Sequence, residues 1–454
     1  MKILFIRPNM NPGRSRDAME PLVFAILRSL TPYDVETVLY DERLEPVPTD
    51  EPADLVAMTV ETHTARRAYQ LARAFRENGT PVVMGGYHPT FLPEEALGHA
   101  DCLVCGDAEG AWESLLEDFR RSGRPGRRIY EGDPSASIAG RQPDRSIFQG
   151  KRYAPVSLVQ FGRGCRYNCD FCSIRAFYGT HLRQRAIDDV VHDIQAAGRK
   201  HVFLVDDNIF VDNASAKELF RALIPLKITW SCQVSIDIAR DPELMDLLRR
   251  SGCTTAVVGF ESLQPANLRQ MRKGWNVKGG GYAESIRIFQ DAGIMIYGTF
   301  VFGYDGDTTD SFEATVDFAM EHKFFLANFN PLTPTPRAPL MERLRNENRL
   351  LHERWWLDPE FRYGDATFVP RGMTPDELTD GCYDARTRFN TMSSIFGRFG
   401  DFRTHLRSPK RMAIYLGANL IARREIHRKQ GLPLGDPNCG YDPGGTAELS
   451  ELSV

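Results

Sequence analysis

From Lys2 to Leu332, short apolar runs alternate with stretches whose apolar residues recur every three or four positions, and this pattern constrains the chain more than any other. Runs this short read as strands, and the stretches between them as amphipathic helices. A strand that is followed by a helix pairs in parallel with the next strand, so the alternation predicts parallel sheets covered by helices. In the first series, residues 2–6, Val35–Tyr40, Asp54–Val60, Pro81–Met84 and Cys102–Val104 are strand-like, with helices over Met19–Leu30, Ala65–Glu77 and Glu109–Arg121. Such a doubly wound sheet has its ligand crevice at the carboxyl ends of its strands. The loops there are Arg7–Arg16, Glu61–His63 and Gly85–Pro89.

A Gly-, Pro- and Ser-rich charged stretch reads as a linker, and the alternation then resumes. Strand-like runs stand at Pro155–Phe161, Val202–Asp206, Thr229–Val234, Thr255–Phe260, Met295–Gly303 and Leu326–Leu332, with helices near 184–198, 212–225, 241–251, 280–292 and 308–322. Six such units predict a partial barrel open on one side, with functional side chains at the carboxyl ends of its strands. Those ends carry Asp206-Asp207-Asn208, Ser235-Ile-Asp237, Glu261-Ser262 and Tyr304-Asp305-Gly-Asp-Thr308. Helical stretches follow at Met341–Leu351, Pro375–Arg398 and Arg411–Lys429, and a Gly- and Pro-rich tail from Gly431 is expected to be loosely ordered. The expected α/β architecture is an N-terminal Rossmann-like doubly wound domain (1–125), a linker (126–152), a partial (β/α)6 barrel (153–335) and a mostly helical C-terminal region (336–454).

Directly after the first barrel strand stand Cys165, Cys169 and Cys172, at CxxxCxxC spacing. Three thiolates on one loop can hold three irons of a [4Fe–4S] cluster, whose usual complement is four cysteines. The fourth iron is then open to a small chelating ligand, as a catalytic zinc keeps an open position. A structural zinc would want a second Cys/His pair nearby, whereas His181 and His192 stand alone. The chain has nine cysteines, an odd number that fits a reducing cytoplasm, and Cys102, Cys105, Cys232, Cys253, Cys382 and Cys439 read as small core residues. No apolar run reaches membrane-spanning length, and Met1–Ile6 leads straight into Arg-Pro-Asn, so a cytoplasmic protein without a membrane span is expected. A net charge of −4 speaks against a nucleic-acid partner.

CxxxCxxC with an aromatic residue, Phe171, before the last cysteine resembles the signature of the radical S-adenosylmethionine (SAM) enzymes. Val82-Val-Met-Gly-Gly-Tyr-His-Pro-Thr90 resembles a segment of the cobalamin-binding domains attached to many of them. Val-Asp-Asp-Asn208, Gly-Phe-Glu-Ser262 and Gly-Thr-Phe-Val-Phe-Gly-Tyr-Asp305 are similar to their strand-end motifs. The resemblance implies a [4Fe–4S] cluster, SAM, an electron donor such as flavodoxin or ferredoxin, and a small-molecule substrate that loses hydrogen to a 5′-deoxyadenosyl radical. On this reading Asp206 or Asn208 takes the amino group of SAM, Ser235 its carboxylate and Glu261 its ribose diol, while Phe171 and the Val301 and Gly303 backbone take the adenine. Asp207, Tyr304, Asp305 and His88 are the candidates for proton transfer on the substrate.

The cobalamin-binding relatives often carry Asp-x-His-x-x-Gly after the first strand, where this chain has Arg7-Pro-Asn-Met-Asn-Pro-Gly13. Neither His63 nor His88 is read as a replacement. The departure tips the expectation away from cobalamin and toward a branch similar to the diol-dehydratase of apramycin-type aminoglycoside biosynthesis, an antibiotic-pathway lyase that removes water from a sugar diol. The alternatives are a cobalamin-dependent C-methyltransferase or cyclase, and a non-catalytic iron–sulfur sensor, against which the strand-end acids speak.

Overall fold

The computed structural model describes residues 1–15, 17–138, 140–210, 212–277 and 281–444. The end of the tail, 445–454, and the first residue of the helix expected over 280–292 lie outside the described residues. Strands β1 (Lys2–Arg7), β2 (Glu36–Asp41), β3 (Leu55–Thr59), β4 (Val82–Gly85), β5 (Cys102–Cys105) and β6 (Ile129–Glu131) form one sheet in the order β2-β1-β3-β4-β5-β6. All pairings are parallel. Ile3 and Phe5 of β1 join the core on one face, Leu4 and Ile6 the core on the other, which is why the strand is apolar throughout. Strand order reverses between β1 and β3, the position at which such sheets offer a ligand crevice. The stretch expected as a linker is more than a spacer. It supplies β6, and then a turn at Arg145–Phe148 that buries Ile147 and Phe148 in the same core.

The second sheet holds β7 (Ser157–Val159), β8 (His201–Leu204), β9 (Thr229–Val234), β10 (Cys253–Glu261), β11 (Met295–Phe302) and β12 (Leu326–Pro331). Its order is β12-β11-β10-β9-β8-β7, all parallel, with β7 and β12 as the two edges of an open barrel. Phe260, Phe300 and Phe329 stack across three neighbouring strands at 5.5 Å centroid spacing. Offset stacks of this kind add to the burial of large side chains.

The C-terminal region closes on both domains. The helix expected over Pro375–Arg398 is two, Pro375–Phe389 and Met392–Phe399, because Thr391 caps the second by accepting the Ser394 amide on its side chain. The tail to Gly444 is not loose. Its Gly435 amide bonds the Met10 carbonyl at 2.8 Å, Asn11 Nδ2 donates to Gly435 O at 3.2 Å, Gln70 bonds Asp436, and Arg66 pairs with Asp442 at 3.0 Å. Backbone and polar side-chain groups make most of this attachment, with Leu434 as an apolar anchor buried in the core it shares with the first domain. Among the described residues no helix is long and apolar enough to cross a membrane.

Candidate active site

Gly162–Arg163 pairs antiparallel with Arg183–Gln184, closing the cysteine loop at its base. Gly164 has φ 90°, and a Cβ there would strike the His181 carbonyl, so only glycine serves. Cys165, Cys169 and Cys172 are all free and half-buried. Burial pushes each thiol up, Cys169 to about 12, while Lys273 draws Cys165 and Cys169 the other way. Iron bound there must therefore displace protons. Among the described residues no three His, Cys, Asp or Glu side chains converge tightly enough to hold a single metal ion. A multi-iron cluster, by contrast, spreads its three thiolates over three irons.

Two strand-end acids hold this loop in place. Both oxygens of Asp206 are engaged, accepting the Phe161 amide at 3.0 Å and the Gly162 amide, and Asp207 accepts the Gly164 amide at 3.0 Å. Asp206 is therefore a positioning residue in this structure, not a free acceptor for an amino group. Burial pushes its carboxyl up to about 7 despite the two amide donors, and that of Asp207 up to about 6. The folded state thus holds the Asp206 proton more tightly than the unfolded chain. Its contribution to stability, on the order of 4 kcal/mol, is present in acid and lost as pH rises from about 4 through about 7. Thermal unfolding of the cluster-free protein across that range should show a shallower decline for Asp206→Asn than for the parent; parallel curves would refute the assignment.

Glu261 ends β10 at φ 63°, a left-handed conformation reached where the strand register shifts between Gly259 and Glu261. Such strain in a non-glycine residue persists only where surroundings enforce it. The enforcing partner is Lys273, buried, with Nζ 2.6 Å from Glu261 Oε1 and 2.9 Å from Gly259 O. Lys273 also feels the Cys169 and Cys172 thiols, so it places a cation between the ribose candidate and the cluster loop. Sequence reasoning missed it, since nothing local separates it from any surface lysine. Beside it Trp275 stacks on Tyr167 at 3.7 Å, and Tyr167 bonds Asp237 at 2.8 Å. Asn208 reaches Ser235 Oγ at 3.5 Å and lies close enough to the Cys165 thiol to oppose the rise of its pKa. The cysteine loop, Asn208, Ser235, Glu261 and Lys273 are thus one group.

The remaining candidates divide. Phe171 meets the edge of Tyr304 at 6.4 Å, and Tyr304 OH donates to buried Asp170 at 2.6 Å. Val301 packs against the barrel core, and Gly303, at φ 111°, donates its amide to Asp307, which also accepts from Tyr304 N and Asn267. Asp307, unassigned from sequence, is the organiser of this turn. Asp305 is taken by Gln270, Arg343, Arg349 and Arg371, joining the barrel to the C-terminal region, which leaves it poorly placed as a base. His88 does not join the group at all. It is fully buried inside the N-terminal domain, bonded to Tyr69 at 2.9 Å and Glu95 at 3.0 Å.

A cavity of about 310 Å³ separates the two sheets, walled mainly by Leu22, Ile26, Met58, Val83, Trp112 and Phe177. A second of about 340 Å³ runs from Glu61 and His63 past Tyr87 and Phe91 to Ser173, the residue after Cys172. Tyr87 and Glu61 border both, so the crevice reaches from the N-terminal strand ends to the cysteine loop. At Gly86, φ 105°, a Cβ would press on Val60 O at 2.9 Å, and Gly106 is also left-handed at φ 77°. Arg163 ties the domains together here, paired with Glu109 at 2.7 Å and Asp107 at 3.0 Å.

Comparison with known proteins agrees with this geometry. A family model described as the Radical SAM superfamily matches residues 159–319, and one described as the B12 binding domain matches residues 29–116. The bacteriochlorophyllide d C-12(1)-methyltransferase of Chlorobaculum tepidum is 30% identical over 413 residues, 87% of this chain and 89% of that one. The anaerobic magnesium-protoporphyrin IX monomethyl ester cyclase of Cereibacter sphaeroides is 25% identical over 87% of this chain and 71% of its own. Among solved structures, the cobalamin-dependent SAM radical enzyme OxsB, with aqua-cobalamin and SAM bound, superposes at TM-score 0.62 with 13% identity, covering 94% of this chain and 72% of that one.

Proposed function

This chain belongs to the radical SAM superfamily and carries a B12-binding domain ahead of its barrel, and from that premise we propose that it is a cobalamin-dependent radical SAM methyltransferase. The observation that carries the reading is the crevice that runs from between the sheets, where its walls are largely apolar, to a more polar end beside Cys172 lined by Thr62, His63, Ser173, Thr333 and Thr335. The cobalamin-free dehydration of a sugar diol favoured by the missing Asp-x-His-x-x-Gly is given up. The relatives named above are a methyltransferase and a cyclase.

The residues present fit the groups this reading needs. Cys165, Cys169 and Cys172 would hold the cluster, and a corrinoid would lie in the crevice bordered by the strand-end turns at Gly85, Gly86 and Gly106 and walled by Leu22, Ile26, Met58 and Trp112. When bound, the cluster supplies an electron to the SAM sulfonium and the corrinoid supplies a cobalt that can carry a methyl group. The chain's own work is positional. Glu261 receives the ribose hydroxyls of SAM with its charge balanced by Lys273, Asn208 and Ser235 serve the amino and carboxylate groups, and Phe171 with the Val301–Gly303 backbone walls the adenine. Tyr304 and Asp170 form a buried proton-carrying pair at the barrel mouth, and Leu22, Ile26 and Trp112 keep water from the crevice. The substrate is a small molecule with an extended apolar ring system, and electrons come from a flavodoxin- or ferredoxin-type donor.

The test is anaerobic reconstitution with iron, sulfide and hydroxocobalamin, followed by desalting and turnover with polycyclic and tetrapyrrole substrates. Stoichiometric corrinoid in the visible spectrum is expected, with both 5′-deoxyadenosine and S-adenosylhomocysteine produced. 5′-Deoxyadenosine alone would mean cyclisation, and a protein emerging without corrinoid would sink the reading.

A further inference from the structure

We infer that His63 is the protein's axial ligand to the corrinoid cobalt, an assignment that rests on the cobalamin reading above. A corrin offers cobalt four equatorial nitrogens, and a neutral imidazole is a strong donor for the axial position of such an ion. Of the residues bordering the two cavities, His63 is the one histidine. Its cavity runs on to Ser173 beside the cluster loop, so a group between His63 and that loop would have the protein nitrogen on one face and SAM on the other.

Three features prepare His63 for this. It sits in a single turn, Thr62–Thr64, directly after β3, one of the two strands that flank the reversal of strand order. That turn is fixed by the Glu61 amide donating to Thr64 Oγ1 at 3.1 Å and the Thr64 amide donating to Glu61 O at 2.9 Å. The imidazole is braced by Trp355 at 4.8 Å and Tyr363 at 6.1 Å, and no hydrogen bond to either ring nitrogen occurs among the described residues. Burial also lowers its pKa, which keeps the ring neutral near pH 7 and a nitrogen lone pair available.

The other candidates are worse placed. His88 commits Nε2 to Tyr69 and Glu95, and its Nδ1, though without a hydrogen-bond partner among the described residues, is buried in the domain core and borders neither cavity. The loop after β1 contains no histidine and is tied down elsewhere: the Asn9 amide donates to Glu42 at 2.9 Å, and Met10 and Asn11 bond Gly435 of the tail. Ligation has thus moved one strand across the sheet.

The test reads the metal rather than turnover. The full chain, loaded with hydroxocobalamin and reduced to cob(II)alamin, is examined by electron paramagnetic resonance. Threefold nitrogen splitting of the cobalt lines is expected, becoming twofold when the protein carries 15N-histidine, which separates protein nitrogen from the cofactor's own base. The splitting from protein nitrogen should vanish in His63→Gly and return when 15N-imidazole is added, and should survive in His88→Gln. Retained corrinoid whose splitting ignores the histidine label, or persists in His63→Gly, would overturn the assignment while leaving cobalamin binding intact. Should the parent protein retain no corrinoid, the cobalamin reading itself fails and this assignment with it.

Discussion

Cys169→Ala is expected to fold yet to lose its iron, with 5′-deoxyadenosine production falling at least about a thousandfold, toward the uncatalysed rate. The half-buried loop would give the cluster three thiolates, and an iron left without its thiolate would have no substitute, since no His, Asp or Glu joins the cysteines in a metal-holding group among the described residues. Iron and sulfide content, the visible absorption of the reconstituted protein and product formation together check this. Cys382→Ala, in the buried core away from the loop, is the control and should keep its cluster. Normal iron content and turnover in Cys169→Ala would show that the loop is not the cluster site.

Lys273→Met should cost about 3–5 kcal/mol of stability, because it leaves the Glu261 carboxylate buried without a counter-charge. Burial alone would lower the Lys273 pKa, but Glu261 and the neighbouring thiols raise it above the ordinary lysine value. The sign follows: the lysine's contribution is complete at neutral pH and is lost as pH rises through its raised pKa. Chemical unfolding at neutral pH measures the loss, and Glu261→Gln added to Lys273→Met should restore part of it. Affinity for SAM should fall in both single variants, as Glu261 is held at φ 63° by this contact. Unchanged stability together with unchanged SAM affinity would remove Lys273 from the site.

How far the sequence reaches can be judged from these residues. CxxxCxxC is a local spacing, and a strand followed by a loop of thiols is legible wherever it occurs. Glu261 was legible for a similar reason, as the polar residue ending an apolar strand. Lys273 was not, because its importance comes from the carbonyl of Gly259 and the carboxylate of Glu261, brought to it by a turn that local periodicity does not encode. Asp206 and Asp207 were legible as strand-end acids, one read as a SAM contact and the other as a proton-transfer candidate, but not their hydrogen bonds to Phe161, Gly162 and Gly164, which make them supports of the cysteine loop. The reading of Arg7–Gly13 as a sign of lost cobalamin weighed one loop by itself, whereas the B12-binding domain match spans residues 29–116 and the crevice is made by several loops from two domains.

By itself, the order of apolar runs and helical stretches determined two parallel sheets, and the spacing of three cysteines determined where iron could bind, since both depend on interactions between residues near in sequence. Only the tertiary structure decided which histidine faces the crevice, which lysine balances Glu261, and that the tail binds the first domain through Gln70 and Asp436, residues 366 positions apart. Those choices rest on contacts between distant segments, and distance along the chain erases any periodicity that could announce them.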